Sequence, residues 1–255
     1  MNKQFHAAIQ SLFVKSSRLL STAPAHPRSP AMDISTLLQY NACDISDALL
    51  RLNVTSGGVL PDISLRGQRP TKQEAFAAPA STVLFVPKGA TPPPSAPQAN
   101  IPKGSHWADL AVPDTFVVIQ QPQGQTNAVL GGIMALRMKQ LKARGVVVDG
   151  RVRDVGELRD TGMPIWSKGL STVGAGASSS PHAVQVPLDI DGTVVRPGDI
   201  IFSDSNNGVV CVPQELVSQV AELLPGLVEA DDRVKLEVQR GTSVQEAFKK
   251  HRGKA

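Results

Sequence analysis

The fold is decided by residues 145–169, GVVVDGRVRDVGELRDTGMPIWSKG. The apolar run at 145–148 predicts a short buried strand that ends at Asp149-Gly150. Residues 155–161 predict a brief helix, and residues 164–167 predict a second strand. A strand, a helix and a strand in succession indicate neighbouring parallel strands that are covered by helices.

The rest of the chain extends this alternation. Apolar residues at helical spacing over 127–143 predict a helix that Gly145 ends. Strands are predicted at 80–86, 115–119, 184–190, 200–203 and 209–212, the last two joined by a hairpin turn at Asn207-Gly208. With 255 residues, of which 41% are hydrophobic, the chain is long enough for one substantial core but short for two large domains. We predict a single α/β domain over residues 32–255, with a mixed sheet flanked by helices.

Both ends of this domain are predicted to be helical. Residues 33–52 form helical segments with a break around residues 44–46. Pro213 is placed at the first position of a helix that breaks at Pro225-Gly226 and resumes over 227–238. Ser243 and Glu246 form a capping-box pattern for a last short helix. Between the predicted strands, the proline-rich stretch 87–103 excludes regular structure and predicts a loop.

The basic charge of the chain lies in its first 31 residues. This leader contains four basic residues and no acidic one, so it accounts for the whole formal net charge of +4. Its apolar, potentially helical stretch at 5–20 predicts a mitochondrial transit peptide. A disordered extension, or initiation at Met32, remains the alternative and implies a cytoplasmic protein. Because the remaining domain is neutral and has no apolar run of about 18 residues, we expect neither a nucleic-acid partner nor a membrane span.

Candidate site residues follow the strand at 145–148. An arginine at the exit of a strand can hold a carboxylate in a bidentate manner, and the neighbouring aspartate can bind a hard cation. Arg153 and Asp154 have this arrangement; a surface ion pair, or an aspartate that caps the next helix, explains the same residues. Gly131-Gly132 lies at a helix start, where bare backbone N–H groups attract anions, although glycines also permit close helix packing.

Together these motifs carry a resemblance to a known family. The chain contains Gly131-Gly132, the strand end 149–154 (DGRVRD), the segment 162–166 (GMPIW), and a late stretch with Pro197-Gly198-Asp199, Asp204, Gly208-Val209-Val210 and Pro213. In this order they resemble the 4-hydroxy-4-methyl-2-oxoglutarate aldolases and the regulators of ribonuclease activity A, over roughly residues 40–240. The resemblance implies an α/β sandwich similar to the swivelling phosphohistidine domain, the fold called RraA-like.

The resemblance also implies a function. Its site assignments are substrate contact at Gly131, Gly132, Ile133 and Met134, largely through backbone amides, a substrate carboxylate on Arg153, and a divalent cation, Mg²⁺ or Mn²⁺, on Asp154. The implied enzyme is a class II pyruvate aldolase that cleaves 4-hydroxy-4-methyl-2-oxoglutarate or related 4-hydroxy-2-oxo acids and decarboxylates oxaloacetate. A homotrimer or homohexamer is implied, with sites at subunit boundaries. The alternative is a non-enzymatic protein that binds and regulates a ribonuclease.

Other chemistries find less support in the sequence. The two cysteines, Cys43 and Cys211, predict no disulfide framework, and the five histidines lack zinc-binding spacing. Lys168 is a weak candidate for a Schiff-base lysine, because that role requires a lowered pKa. The segment 174–180 resembles a phosphate loop only in composition, and we expect it at the rim of the active site instead.

Overall fold

The fold is built on one large mixed sheet. The computed structural model describes residues 34–67 and 75–253, and the leader 1–31 for which a transit peptide is predicted lies outside them. The strands are β1 (Ser64–Leu65), β2 (Ala75–Pro87), β3 (Phe116–Gln120), β4 (Ala128–Leu130), β5 (Gly145–Val152), β6 (Ile165–Leu170), β7 (Ser179–Val184), β8 (Leu188–Ile190), β9 (Thr193–Val195), β10 (Ile200–Asp204) and β11 (Gly208–Val212).

Helices flank this sheet and connect its strands. The α-helices are α1 (Ala42–Arg51), α2 (Gly132–Gln140), α3 (Val155–Asp160), α4 (Val217–Gln239) and α5 (Val244–His251). Short 3-10 helices lie at Ile34–Gln39, Trp107–Leu110, Ala175–Ala177 and Gln214–Leu216. No helix within the described residues is long and apolar enough to cross a bilayer.

The centre of the sheet is parallel and its margins are antiparallel. The strand order is β1-β6-β5-β3-β2-β10-β11, with β4 beside β5, β7 beside β2, and β8-β9 as a separate hairpin. Neighbours among β2, β3, β5 and β6 are parallel, whereas β1, β7, β10 and β11 pair antiparallel. The long strand β2 pairs with β10 through its first five residues and with β3 and β7 through the rest, so the sheet is nearly closed.

The core lies on both faces of the central strands. Val117 and Ile119 of β3 pack on one side with Met138 of α2, while Phe116 and Val118 pack on the other with Trp166. Parallel strands that are buried on both faces require continuous apolar runs such as those of β3 and β5. This confirms the α/β class that the sequence predicts.

The predicted break near residues 44–46 is wrong. The chain instead breaks before α1, where the Asn41 side chain accepts the N–H groups of Cys43 at 2.8 Å and Asp44 at 3.1 Å. The Asp44 carboxylate accepts the Asn41 N–H in return, which completes a capping box. Asp44 therefore marks the first turn of the helix and not an interruption of it.

The predicted break at Pro225-Gly226 is also wrong. Helix α4 runs without interruption from Val217 to Gln239 with Pro225 inside it, although an interior proline costs about 3 kcal/mol. Buried Val220, Leu224 and Val234 hold the turns on both sides of the proline against the domain, and this tertiary packing outweighs the lost hydrogen bond. Pro213 is not the first residue of the helix, since it precedes the 3-10 helix at Gln214–Leu216.

Other local predictions are confirmed or shifted. The Ser243 hydroxyl oxygen accepts the Glu246 N–H at 3.3 Å and so caps α5 as predicted. Strands β10 and β11 form the predicted hairpin. Beyond Pro87, the last residue of β2, the stretch 88–103 contains neither helix nor strand. The single strand predicted over 184–190 is wrong, because β7 ends at Val184 and β8 begins at Leu188.

Candidate functional site

The arginine and aspartate of the central motif lie between β5 and α3. Strand β5 does not end at Asp149-Gly150 as predicted, because Arg151 and Val152 pair with both β4 and β6. Arg153 is therefore the first residue beyond the strand, and its N–H bonds to the Leu130 carbonyl at 3.0 Å. Asp154 follows with a left-handed backbone (φ 59°) and begins α3 through its carbonyl, which accepts the Leu158 N–H at 3.0 Å.

The two glycines lie directly against this pair. The helix predicted over 127–143 begins later, because residues 128–130 form β4, and Gly131 is the residue that precedes α2. The Asp154 Oδ2 atom accepts the Gly132 N–H at 3.3 Å and also lies 3.3 Å from the Arg153 Nε atom. A Cβ atom on Gly131 would lie 2.7 Å from the same Oδ2 atom. A larger residue at position 131 would therefore displace the Asp154 carboxylate from this position.

A cleft of about 200 Å³ joins these groups. The side chains of Arg153 and Asp154 are 43% and 38% exposed, so both can be reached from solvent. The predicted substrate-contact residues Gly131, Ile133 and Met134 line the cleft, while Gly132 touches it through the bond from its N–H to Asp154. All six residues that the sequence predicts for substrate or metal binding therefore lie together in or beside this cleft.

A second carboxylate, that of Glu157, lies beside the residue next to the cleft-lining Gly131, and it is not among the site residues predicted from the sequence. Its Oε2 atom lies 1.8 Å from the position that a Cβ atom on Gly132 would occupy, so its carboxylate covers the backbone at the start of α2. Glu157 lies three residues after Asp154, in the first turn of α3. Its position close after the DGRVRD motif is the only signal for it in the sequence.

The acidic groups at this point fit a magnesium-like ion. Mg²⁺ retains several waters and uses one or two protein carboxylates. Asp154 supplies one carboxylate in the cleft, and Glu157 lies against the neighbouring Gly132. Among the described residues, both contacts of the Asp154 carboxylate involve Oδ2, which leaves Oδ1 for a cation. No set of three His, Cys, Asp or Glu side chains within that part of the chain forms a ready-made metal cage. The donor set therefore favours a hydrated, hard cation.

A family model described as RraA-like, Aldolase/RraA, matches residues 42–211. The chain belongs to the RraA-like family. The matched residues extend from α1 to β11 and include every residue of the site described above. The fold is accordingly the RraA-like fold, as the sequence resemblance implied.

RraA-like relatives carry several different names. Protein DlpA of Legionella pneumophila is 27% identical over 221 residues, which cover 84% of this chain and 33% of that protein. A putative 4-hydroxy-4-methyl-2-oxoglutarate aldolase of Halalkalibacterium halodurans is 32% identical over 126 residues, which cover 48% of this chain and 59% of its own length. The chain thus spans less than two thirds of each of these relatives.

Among solved structures, the fold resembles that of Streptomyces coelicolor RraAS2, described as an unusual member of the RNase ES inhibitor RraA protein family. The TM-score is 0.63 at 22% identity, and the match covers 86% of this chain and 100% of that one. At this level of identity the match supports the RraA-like fold alone.

Lys168 lies outside the candidate cleft, in a second cleft. Its ammonium group contacts the Asp149 carboxylate at 2.6 Å and also pairs with Asp191. Burial alone would lower the pKa of Lys168, but the hydrogen bonds that its ammonium group donates to the two carboxylates outweigh this effect and raise the pKa. A lysine that stays protonated is a poor nucleophile toward a carbonyl carbon, so the Schiff-base role finds no support.

The histidines, the glycine-rich segment and the cysteines that the sequence analysis considered show no further chemical centre in the described residues. His106 and Gly174 line the candidate cleft, as expected for rim residues. His182 bonds to the Pro97 carbonyl at 2.8 Å and thereby holds the proline-rich loop. Both cysteines are free, and burial raises the pKa of the Cys211 thiol, so neither forms a disulfide or a reactive thiolate centre at this site.

Proposed function

We propose that this RraA-like protein is a divalent-metal-dependent aldolase of 4-hydroxy-2-oxo acids. The observation that carries the proposal is the meeting of a guanidinium, a carboxylate and a helix-start N–H in one cleft, with Arg153, Asp154 and Gly132 at 3.3 Å contacts. The named aldolase among the relatives supports the same reaction class.

Each group has a distinct task in this reaction. The guanidinium of Arg153 binds the substrate carboxylate and offsets negative charge that develops as the C3–C4 bond breaks. The amides at the start of α2 fix the orientation of the 2-oxo acid. Asp154 would hold Mg²⁺ or Mn²⁺, which supplies Lewis acidity toward the 2-oxo group when bound.

Oxaloacetate decarboxylation is proposed as a second activity of the same site. Cleavage of a 4-hydroxy-2-oxo acid and loss of CO₂ from oxaloacetate both leave a pyruvate enolate. The groups that stabilise one developing anion therefore stabilise the other. No side chain of the motif is suited to remove the 4-hydroxyl proton, and water is the remaining base in the aldol reaction.

The test uses pyruvate release from oxaloacetate, with and without Mg²⁺. Arg153→Ala and Asp154→Ala should each lower kcat/KM by about 100-fold or more, because each removes a group that acts on the developing charge. Arg159→Ala and Asp160→Ala are matched controls, since this second Arg-Asp pair lies on α3 outside the cleft and its removal should leave turnover unchanged. Full activity in both site variants would exclude the proposal, and an inactive wild type would favour the ribonuclease-regulator alternative.

We also propose that the protein assembles as a homotrimer or homohexamer. Exposed apolar side chains lie in the cleft and on the segment that leads to its lining residue Gly174. Ile133 in the cleft is 73% exposed, and Leu170 and Val173 before Gly174 are 48% and 50% exposed. A contact between subunits would cover such surface. Light scattering on the purified protein measures the mass directly, and a monomer would contradict this part of the proposal.

A further inference from the structure

The turn between β10 and β11 contains the one Asn-Gly pair of the sequence, Asn207-Gly208. Asn207 is exposed to solvent in this turn. Gly208 has a φ of 120°, a backbone conformation that favours glycine. A Cβ atom added to Gly208 would have no neighbouring atom within 4 Å in the described part of the chain. The space around the peptide bond that joins the two residues is therefore open.

The side chain of Asn207 also belongs to a hydrogen-bond network around a buried carboxylate. Its amide group donates to both carboxylate oxygens of Asp204, at 3.1 Å to Oδ1 and 3.0 Å to Oδ2. Asp204 is only 4% exposed and also accepts the Ala42 N–H at 2.7 Å. Burial opposes ionisation of Asp204, and the Asn207 amide is foremost among the hydrogen bonds that nevertheless lower its pKa. The amide of Asn207 thus helps to connect the turn with the start of α1.

We propose that Asn207 is a site of spontaneous deamidation, and that the aspartate or isoaspartate formed there weakens the connection between the β10–β11 turn and α1. The backbone nitrogen of Gly208 loses its proton to water and forms a bond to the side-chain carbonyl carbon of Asn207. The bond from this carbon to the amide nitrogen breaks, and that nitrogen takes a proton from water and leaves as ammonia.

Water completes the reaction by opening the five-membered ring at either of its two carbonyl carbons. One opening gives aspartate, and the other gives isoaspartate, in which the main chain runs through the former side chain. One asparagine and one water therefore yield one acidic residue and one ammonia. The reaction needs no oxidant, reductant or further reactant.

Gly208 makes closure of this ring feasible, because it places no side chain beside the attacking nitrogen. The Asn207 side chain has only to turn from Asp204 towards the next peptide nitrogen. Asn206 provides a comparison within the same turn, since it is also exposed and donates its backbone N–H to Asp204 at 2.8 Å. It is followed by Asn207, whose side chain hinders the corresponding attack. Deamidation should therefore be selective for Asn207.

The product replaces a hydrogen-bond donor by a negative charge. A carboxylate at position 207 would occupy the place of the amide, next to both oxygens of Asp204. Two adjacent carboxylates repel each other, so either one of them takes up a proton or the turn opens. In both cases the Asp204 carboxylate becomes a poorer acceptor for the Ala42 N–H. An isoaspartate would in addition lengthen the main chain and disturb the pairing of Asp204 with Gly208.

Tandem mass spectrometry of the full chain tests the modification. After prolonged incubation at neutral pH, the peptide that contains the turn should show the mass increase from NH₂ to OH at Asn207 and not at Asn206. Asn207→Gln keeps the amide but would require a larger ring, so its peptide should stay unmodified over the same time. An unmodified Asn207 in the wild type, or equal modification of Asn206 or of the Asn207→Gln variant, would overturn the proposal.

Two aspartate variants test the structural consequence. Asn207→Asp represents the deamidated product and should lower the Tm by at least about 2 °C at neutral pH. Asn206→Asp is the matched control, because it adds the same charge one residue earlier, where the contact with Asp204 is made by the backbone N–H; it should lower the Tm by less than half as much. Hydrogen exchange of the Ala42 N–H should be faster in Asn207→Asp than in Asn206→Asp. Equal effects of the two variants on Tm or on this exchange would overturn the connection to α1.

Discussion

Gly131→Ala is a sharp perturbation of the candidate site. The new Cβ atom would lie 2.7 Å from the Asp154 Oδ2 atom, against about 3.4 Å for an ordinary contact, so the carboxylate must retreat by about 0.7 Å. It would also lie 3.2 Å from the Arg153 Nε atom. A misplacement of about 1 Å costs on the order of 100-fold in rate, so we expect kcat/KM for oxaloacetate to fall by about 10- to 100-fold.

The variant should remain folded. Gly131 has an extended backbone (φ −136°) that alanine also adopts, so no backbone strain accompanies the change. Gly156→Ala is the matched control on α3, because no atom lies within 4 Å of its added Cβ atom. It should keep full activity and stabilise the protein by about 0.5–1 kcal/mol, since alanine has a higher helix propensity than glycine.

Steady-state pyruvate release and thermal unfolding together provide the assay. In an Asp154→Ala background, Gly131→Ala should have little further effect, because the displaced carboxylate is already absent. If Gly131→Ala retained wild-type kcat/KM, or if the two changes reduced activity independently, the contact between Gly131 and Asp154 would not govern the chemistry.

Two further predictions concern charged groups outside the site. Burial opposes ionisation of Asp204, but hydrogen bonds from Asn207, Ala42 and Asn206 hold its pKa below the ordinary value. Asp204→Ala should therefore destabilise the protein by about 2–4 kcal/mol in urea unfolding at pH 7. The contribution of the ionised Asp204 carboxylate to stability is present above the ordinary carboxyl pKa and is lost as pH falls through its lowered pKa in the folded protein. If Asp204→Ala destabilised the protein equally at pH 2 and pH 7, this prediction would be contradicted. Lys168→Met should lower the free energy of unfolding by about 1–3 kcal/mol, because it leaves the Asp149 carboxylate without its cation. Oxaloacetate turnover per folded molecule should stay unchanged. Loss of turnover in the folded variant would indicate a catalytic role for this lysine.

The sequence predicts the central sheet well because the strands are buried on both faces. Continuous apolar runs at 115–119 and 145–148 have few alternatives to a buried parallel strand. The boundaries of those runs are less predictable, as β5 shows. Arg151 and Val152 look like loop residues in isolation, but they belong to the strand because β4 and β6 offer hydrogen-bond partners on both sides. Such partners come from distant parts of the chain and leave no local signal.

The helix errors have the same physical origin. Apolar residues at 129 and 130 suit the helical spacing of 127–143, yet they face the core from β4, because residues 128–130 pair with β5. Pro225 is a reliable local signal against a helix, and the packing of α4 on the domain overrides it. Local propensity identifies the kind of element, whereas tertiary contacts decide where it begins and ends.

The motifs that carry the family resemblance contain residues with two different physical roles. Gly131, Arg153 and Asp154 converge on one cleft, where each occupies space or supplies charge that a substrate can use. Asp204 belongs to the same ordered set of motifs, but its carboxylate accepts the Ala42 N–H at 2.7 Å and closes the β10–β11 turn. It supports α1 and the hairpin and lies outside the cleft lining. A motif match therefore predicts the fold through all its members but the chemistry through only some. The three-dimensional contacts place Asp154 in the candidate cleft and Asp204 in the structural framework.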